Sequence, residues 1–317
     1  MIKLSVIIPA YNAGKTIEKA IFSILHSDLE NYEIIVINDG SKDNTGQIVK
    51  NIQKNNLSLI YIEILNGGVS NARNIGINSA HGKYILFLDS DDSYYFYNIS
   101  KFNDLMNEDY DLILFDFQKN VFKENKANKL NFYITRQEFI NNYYFTKKYF
   151  YYRNYVFGKL LKKDLIQNNG LHFDTNICYG EDTLFISEYL IFCKRVYMSN
   201  SIVYLYNTSE NALSQQMNIT YNAFLKNIKN IYFNIGVVSK QSIDFLIENY
   251  CIAYYHFNNL DLYYFDDVEF KNHFIKLCQK RKKKNILLRL NIKRKKYYFI
   301  KNIKIIIKKI LGMYKKC

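Results

Sequence analysis

Three carboxylates lie within four residues of one another, at Asp89, Asp91 and Asp92, directly after the apolar run Tyr84–Leu88. Carboxylates this close repel one another and are costly to desolvate, so they are best tolerated where a divalent cation neutralises them. In open α/β sheets, ligands bind beyond the carboxyl ends of the strands, which is where this cluster would lie. The cluster therefore predicts a metal site for a phosphorylated ligand. Taken alone, it is equally well explained as the acidic N-cap of a helix, because a helical pattern follows Asp92.

The elements that would position this cluster alternate regularly through the first 117 residues. Short continuous apolar runs are typical of strands buried on both faces, and the segments between them have helical spacing. Such alternation implies an α/β fold in which a mostly parallel central sheet carries helices on both faces. The predicted strands are Leu4–Ile8, Glu33–Ile37, Leu57–Ile64, Tyr84–Leu88 and Leu112–Phe117, and the predicted helices are Ala13–Leu25, Ser41–Lys54, Val69–Ala80, Gln137–Tyr149 and Thr183–Phe192.

The loops after the first two predicted strands carry residues that suit a nucleotide. In the first loop, Pro9 fixes the exit of the chain and Tyr11 offers a flat apolar face for stacking on a base. In the second, Asp39 is able to accept hydrogen bonds from a base or a ribose. Each feature also has a structural explanation, a plain strand-to-helix turn for the first loop and an Asx turn with Gly40 for the second.

The third loop, Asn66–Asn74, places a glycine pair at the start of a helix. Helix N-termini favour anions, and Arg73 follows one turn into this helix. The planar, forked guanidinium of arginine suits a diphosphate. A surface ion pair is the alternative role for Arg73.

The order of these motifs is more specific than any one of them. Together they closely resemble the family 2 glycosyltransferases of the GT-A fold over roughly residues 1–215, with a nucleotide-sugar half at about 1–117 and an acceptor half at about 118–215. The motifs that carry the resemblance are Ser5–Asn12, Ile37–Ser41, Gly68–Asn74 and Asp89–Asp92.

The resemblance implies a role for each of these motifs in binding a nucleotide-sugar. Asp91 would be the ligand of a Mn²⁺ or Mg²⁺ ion bridging the diphosphate, and Asp92 a secondary ligand or a helix cap. Arg73 would reach towards the base or a phosphate, and Asp89 towards the ribose. The remaining donor-binding residues that it implies are Pro9, Ala10, Tyr11, Asp39 and Ser90.

A second acidic motif, within Tyr179–Phe185, resembles the Glu-Asp motif of the same family. This resemblance implies that Asp182 is the catalytic base and that Glu181 is an acceptor-side or secondary residue. An inverting transfer needs such a carboxylate to take the proton of the acceptor hydroxyl as its oxygen attacks the anomeric carbon. A metal ion would stabilise the leaving diphosphate on the other side. Without the upstream motifs, a helix cap would be the favoured role of Asp182.

Two further segments are placed by the resemblance. Phe157–Leu160 resembles a segment that borders the acceptor, which makes Lys159 a secondary candidate. Tyr206–Ser214 falls where relatives carry a mobile loop with a basic residue that helps to cover the diphosphate. Asn207–Asn211 contain no Lys, Arg or His, which puts phosphate contacts from this loop in doubt.

The net charge of +14 comes from one end of the chain. Lys276–Cys317 contain 17 Lys and Arg and no acidic residue, which leaves 26 basic and 29 acidic side chains in residues 1–275. Over 280–317 the pattern predicts a basic amphipathic helix that binds an anionic membrane surface, at about 1 kcal/mol per basic residue near the surface. A solvated tail and an RNA-binding arm are the alternatives. The apolar face suits lipid better than a phosphate backbone, so no nucleic-acid partner is expected.

Cysteine usage and hydropathy indicate a cytoplasmic protein, peripheral on the inner face of the cell membrane. The apolar run that ends at Pro9 is too short for a signal peptide, and no stretch reaches the roughly 18 apolar residues needed to span a bilayer. The cysteines form no CxxC pair, which argues against a disulfide framework or a zinc knuckle. They are Cys178, Cys193, Cys251, Cys278 and Cys317.

These features predict an inverting, metal-dependent hexosyl- or N-acetylhexosaminyltransferase. Its donor would be a nucleotide-sugar, with UDP favoured, and its acceptor a hydroxyl of a glycan or lipid-linked molecule in surface polysaccharide or glycoconjugate synthesis. A helical, aromatic-rich extension at 216–275 would separate the catalytic domain from the basic tail. One alternative is a sugar nucleotidyltransferase, although the first loop has only one glycine before Lys15. The other is a non-catalytic sugar- or polyanion-binding protein anchored by the tail.

Overall fold

The computed structural model describes residues 2–120, 131–144, 152, 155–177 and 180–207 of the 317-residue chain. The described strands are β1 (Leu4–Ala10), β2 (Tyr32–Asp39), β3 (Leu59–Ile64), β4 (Tyr84–Phe87), β5 (Ser93–Phe96), β6 (Leu112–Lys119), β7 (Asn131–Thr135), β8 (Lys159–Lys162) and β9 (Arg195–Tyr206). The described helices are α1 (Ile17–Leu25), α2 (Thr45–Gln53), α3 (Val69–Ser79), α4 (Ile99–Asn107), α5 (Arg136–Phe139, continued by a π-helical turn over Ile140–Tyr144), α6 (Lys163–Asn168) and α7 (Glu181–Phe192).

All of these strands belong to one sheet, in the order β3-β2-β1-β4-β8-β6-β9-β5, with β7 paired to β9. β3, β2, β1 and β4 are parallel neighbours, with Leu4 opposite Tyr32 on one side and Tyr84 on the other. Beyond β4 the pairing is mixed, because β8 runs antiparallel to both of its neighbours and β9 is parallel to β6 but antiparallel to β5 and β7. The predicted α/β fold with a central sheet is confirmed, and its parallel part is the part built by β1–β4.

Helices cover both faces of this sheet. One face of β1 packs with α1, α2 and α4 in a single buried cluster. On the other face α3 approaches so closely that a Cβ on Gly76 would lie 2.4 Å from Cγ2 of Ile7. Helix α7 lies on this second face, because Phe173 contacts both Phe87 of β4 and Phe185 of α7. The carboxyl ends of β1–β4 are thereby held between two helical layers, where the predicted loops emerge.

The segment after Asp92 is a strand, which corrects the prediction of a helix there. β5 begins at Ser93 and pairs with β9, and its consecutive aromatic residues favour an extended backbone. Helix α4 begins only at Ile99, where the side chain of Asn98 caps it by accepting from the N–H of Lys101. The helix-cap alternative for Asp92 is therefore wrong.

Several predictions fall on residues outside those that the structure describes. These are the aromatic-rich extension at 216–275, the basic tail at 276–317 and the loop from 208 to 214. In the part of the chain that is described, no helix is both long and apolar enough to cross a bilayer.

Candidate active site

Asp39, at the end of β2, holds the third loop in place. Its Oδ1 accepts from the backbone N–H of Gly67 at 2.7 Å, and its Oδ2 accepts from that of Gly68 at 2.9 Å. The carboxylate is only 4% exposed. The Asx turn of this loop belongs to its neighbour instead, because Oδ1 of Asn38 accepts from the N–H of Ser41. Contact between Asp39 and a nucleotide remains a prediction.

The first loop is fastened to the second and leaves one aromatic ring exposed. Asn12 donates its backbone N–H to Oγ of Ser41 at 2.9 Å and accepts from the N–H of Lys42 at 2.8 Å. Pro9 and Ala10 are the last residues of β1 and are buried. Tyr11 is 42% exposed, so its ring is available to a base at the mouth of the site.

Arg73, on α3, joins the acidic loop after β4 to the start of α7. One terminal nitrogen lies 3.2 Å from Oδ1 of Asp89. The other lies 3.3 Å from Oε1 of Glu181 and 2.7 Å from Oδ1 of Asp182. The guanidinium is buried and also lies over the ring of Phe173, with 5.3 Å from Cζ to the centroid. The structure thus brings together the predicted donor-binding Asp89 and the predicted catalytic Asp182.

The charges around Arg73 keep it protonated. Burial alone would lower the pKa of this guanidinium, but Asp182, Asp89 and Glu181 outweigh burial and raise it. Both terminal nitrogens face carboxylates, whereas the buried Nε has no hydrogen-bond partner among the residues that the structure describes. Arg73 therefore acts first as a counter-ion for three carboxylates, and its contact with a diphosphate remains a prediction.

Asp182 lies in the first turn of α7 without capping it. The N-cap is Gly180, which adopts the left-handed conformation at φ 81° that glycine tolerates best. Oδ2 of Asp182 accepts from the backbone N–H of Val156 at 3.0 Å. Burial raises the pKa of Asp182 to about 7, with Glu181 adding to the shift and Arg73 opposing it. A carboxyl group that titrates near neutral pH suits a general base.

The acidic loop has the electrostatics that a divalent cation would relieve. Burial, and then the neighbouring Asp89, raise the pKa of Asp91. Asp91 forms no ion pair with a described residue. Within the described residues, no group of three or more His, Cys, Asp or Glu side chains is arranged to hold a metal ion. A buried carboxylate with a raised pKa is one that Mg²⁺ or Mn²⁺ would stabilise in its ionised form, and Asp91 is the residue that would hold such an ion.

Comparison with known proteins shows to which family the chain belongs. The family model described as Glycosyl transferase family 2 matches residues 5–163, about half of the chain. The chain belongs to the family 2 glycosyltransferases. An uncharacterized glycosyltransferase, EpsJ of Bacillus subtilis (strain 168), is 30% identical over 223 residues, which cover 67% of this chain and 63% of EpsJ, just under two thirds of that relative. The minor teichoic acid biosynthesis protein GgaB of the same strain is 31% identical over 257 residues, covering 78% of this chain and 27% of GgaB.

Solved structures confirm the GT-A fold of this chain. The crystal structure of S. aureus TarS 1–349 in complex with UDP-GlcNAc superposes with a TM-score of 0.65. The two sequences are 21% identical, and the match covers 87% of this chain and 79% of that one.

Within the acidic loop, Asp92 is turned inward. It is 1% exposed, its Oδ1 accepts from the backbone N–H of Asn207 at 2.7 Å, and its Oδ2 accepts from the hydroxyl of Tyr204. Burial, and then Asp89, raise the pKa of Asp92 to about 8. Both carboxylate oxygens of Asp92 thus accept hydrogen bonds from Tyr204 of β9 and from Asn207 directly after it, and these bonds fix the shape of the acidic loop. Its role as a secondary metal ligand remains a prediction.

Glu181, Ser90 and Lys159 lie at different depths in the site. Glu181 pairs with Arg73 at 3.3 Å and is partly exposed, as is Ser90 beside Asp89. Lys159, at the start of β8, is 0% exposed and therefore lies beneath the protein surface. Its position next to the acceptor stays a prediction.

Sequence reasoning missed three residues that hold the site together. Tyr204 contacts Asp92, and Val156 contacts Asp182. The third residue is Tyr94, whose hydroxyl donates to the carbonyl of Phe87 and accepts from the N–H of Gly158. Tyr204 and Asp92 are 112 positions apart, and Val156 acts only through its backbone. An aromatic residue in a strand carries no sequence signal for such a contact, because packing alone would explain it equally well.

Proposed function

We propose that this protein is an inverting glycosyltransferase that uses a UDP-sugar and a divalent cation and takes Asp182 as its catalytic base. The observation that carries the proposal is the buried Arg73, which pairs with Asp182 on one side and with Asp89 on the other. A base has to lie next to the bound donor for its proton transfer to accompany attack on the sugar. One arginine that contacts both carboxylates meets this requirement.

In the proposed reaction, Asp182 takes the proton of an acceptor hydroxyl. The hydroxyl oxygen forms a bond to the anomeric carbon from the side opposite the nucleotide, and the bond between that carbon and the diphosphate oxygen breaks. The nucleoside diphosphate leaves with the electron pair, and the configuration at the anomeric carbon inverts. Arg73 opposes part of the rise that burial gives to the pKa of Asp182, so it increases the ionised share of the carboxylate that accepts the proton at neutral pH.

The donor would occupy the mouth formed by the first three loops and the acidic loop. The exposed ring of Tyr11 would stack on the base, with Pro9, Ala10 and Asp39 beneath it, and Asp89 and Ser90 would face the ribose. Asp91 would hold Mn²⁺ or Mg²⁺, which would neutralise charge on the leaving diphosphate. The choice of UDP is supported by TarS, a structural neighbour crystallised with UDP and with UDP-GlcNAc.

The acceptor is proposed to be a hydroxyl of a glycan or lipid-linked molecule in cell-surface polysaccharide synthesis. GgaB, a relative that covers 78% of this chain, is a minor teichoic acid biosynthesis protein. The basic, amphipathic sequence of residues 280–317 would bring the enzyme to the anionic inner face of the membrane, where lipid-linked acceptors lie. Deletion of residues 280–317 is expected to abolish sedimentation with anionic vesicles. Sedimentation that is unchanged by the deletion would contradict this part of the proposal.

A donor screen tests the proposed activity. UDP-, GDP- and dTDP-sugars are incubated with the protein and Mn²⁺, and release of the nucleoside diphosphate into water is followed. Release from a UDP-sugar is expected, and NMR at early times should show the free sugar with the inverted anomeric configuration. A retained configuration, or release from none of the donors, would contradict the proposal.

A further inference from the structure

A buried lysine lies near the proposed catalytic base. Lys159 is 0% exposed, and its Nζ donates to the backbone carbonyl of Tyr155 at 2.6 Å and to that of Phe157 at 3.2 Å. Burying an ammonium group is costly unless it is paired and hydrogen-bonded. Burial lowers the pKa of Lys159 to about 7, and the nearby Asp182 opposes that shift. The mechanism proposed above does not use this group.

The two carbonyls that Lys159 binds flank the residue that holds the base. Between them lies Val156, whose backbone N–H donates to Oδ2 of Asp182 at 3.0 Å. The carbonyl of Tyr155 and the N–H of Val156 belong to the same peptide unit, so Lys159 holds one side of the unit whose other side holds Asp182. Because a planar peptide turns as a unit, the direction of the Val156 N–H depends on this contact.

Phe157 and Gly158, the next two residues, are held by aromatic residues next to the acidic loop. Gly158 has a φ of +66°, a conformation that glycine adopts without strain, and its N–H donates to the hydroxyl of Tyr94 at 2.9 Å. The ring of Phe157 stacks on that of Tyr204 with 3.8 Å between centroids, and Tyr204 in turn donates to Asp92. The segment 155–158 thus lies between the acidic loop and the base.

We propose that Lys159 is a positioning residue for Asp182, which it orients through the peptide unit shared by Tyr155 and Val156, and that it does not contact the acceptor. This inference rests on the proposed function, because it presumes that Asp182 is the base. The oxygen of Asp182 that Val156 holds is kept at a fixed angle, while Arg73 holds the other at 2.7 Å. A base held at both oxygens loses little of its alignment when a substrate enters.

Replacement of Lys159 by methionine tests this role, because methionine has a similar length and no charge. The matched control is Lys163→Met, since Nζ of Lys163 also donates to a backbone carbonyl, that of Ala80 at 3.1 Å, away from Asp182. For each purified variant, kcat for UDP-sugar hydrolysis, the Kd for UDP with Mn²⁺ and the Tm are measured. A crystal structure of Lys159→Met gives the distance from the Val156 nitrogen to Asp182.

The expected result is a split between catalysis and binding. Lys159→Met should lower kcat by about 10- to 100-fold, because a misplacement of about 1 Å can cost about 100-fold. Its Kd for UDP should match that of the wild type, the distance from Val156 to Asp182 should lengthen, and Lys163→Met should keep full kcat. If Lys159→Met is insoluble, Lys159→Gln is measured in the same way, because it keeps one hydrogen-bond donor.

Two results would overturn the inference, and they differ from failure of the proposed function. A wild-type kcat in Lys159→Met would show that the ammonium does not orient the base. A parallel loss of kcat, UDP affinity and Tm would assign Lys159 to the fold alone. If wild-type protein releases no UDP from any donor, the proposed function fails and the inference falls with it.

Discussion

The Arg73 guanidinium donates to Oδ1 of Asp182 at 2.7 Å, although 109 positions separate the two residues along the chain. The same side chain lies 3.2 Å from Asp89, on the loop that follows β4. Removing one member of a buried charge cluster is costly, on the order of 3–5 kcal/mol, because the remaining charges are left uncompensated. The buried guanidinium of Arg73 therefore fixes the acidic loop relative to Asp182 before any substrate binds.

The pH dependence of hydrolysis should follow the ionisation of Asp182. Its pKa is raised to about 7, chiefly by burial, and only the ionised form accepts a proton. We expect kcat/KM to fall about tenfold for each unit of pH below 7 and to level off above it. A rate that is constant between pH 5 and 8 would contradict the role of Asp182.

Replacing Asp91 by asparagine should remove the stabilisation that Mn²⁺ gives to the wild type. A ligand that binds only the folded state at 100 times its Kd stabilises it by about 2.7 kcal/mol, which corresponds to a Tm rise of several degrees. We expect this rise, measured with Mn²⁺ and UDP together, to vanish in Asp91→Asn. The control is Asp104→Asn, on α4 away from the acidic loop. An equal Mn²⁺ shift in wild type and Asp91→Asn would place the metal elsewhere.

Replacing Tyr204 by phenylalanine should weaken donor binding through the acidic loop. The change removes the hydroxyl that donates to Asp92 and leaves that buried carboxyl with one partner fewer, at a cost of about 1–3 kcal/mol in stability. Tyr189→Phe is the matched control, because its hydroxyl accepts from the N–H of Lys162 far from the loop. Calorimetry should show weaker UDP–Mn²⁺ binding for Tyr204→Phe alone. Equal UDP affinity in both variants would limit Tyr204 to a structural role.

The parallel half of the fold was predictable because its signals are local. Each strand from β1 to β4 is a short apolar run, and the motif that follows it consists of a few consecutive residues, so both are readable from the sequence. The mixed half was not, since β8 is only four residues long and β9 pairs with three other strands, β5, β6 and β7. Which strand lies next to which depends on long-range packing that a local pattern does not encode.

The site shows the same division between local and long-range information. The acidic loop and the Glu-Asp motif were identified from neighbouring residues; the first follows β4 and the second begins α7, and the roles that the resemblance implies for them stay predictions. Their meeting at Arg73 was not predicted, because a surface ion pair explained that arginine equally well. For Asp92 the helix-cap alternative failed, since the aromatic residues of β5 pair with β9 rather than continue as a helix.

The most direct test of the central claim is a paired measurement on Asp182→Asn. The amide keeps the shape of the side chain but does not accept a proton at neutral pH. Asp164→Asn is the matched control, because Asp164 lies in the first turn of α6 as Asp182 does in α7, but is exposed. We predict that Asp182→Asn binds UDP with Mn²⁺ as the wild type does while its release of UDP from a UDP-sugar falls at least 100-fold, on the order expected for loss of a general base. Wild-type turnover by Asp182→Asn would contradict the account.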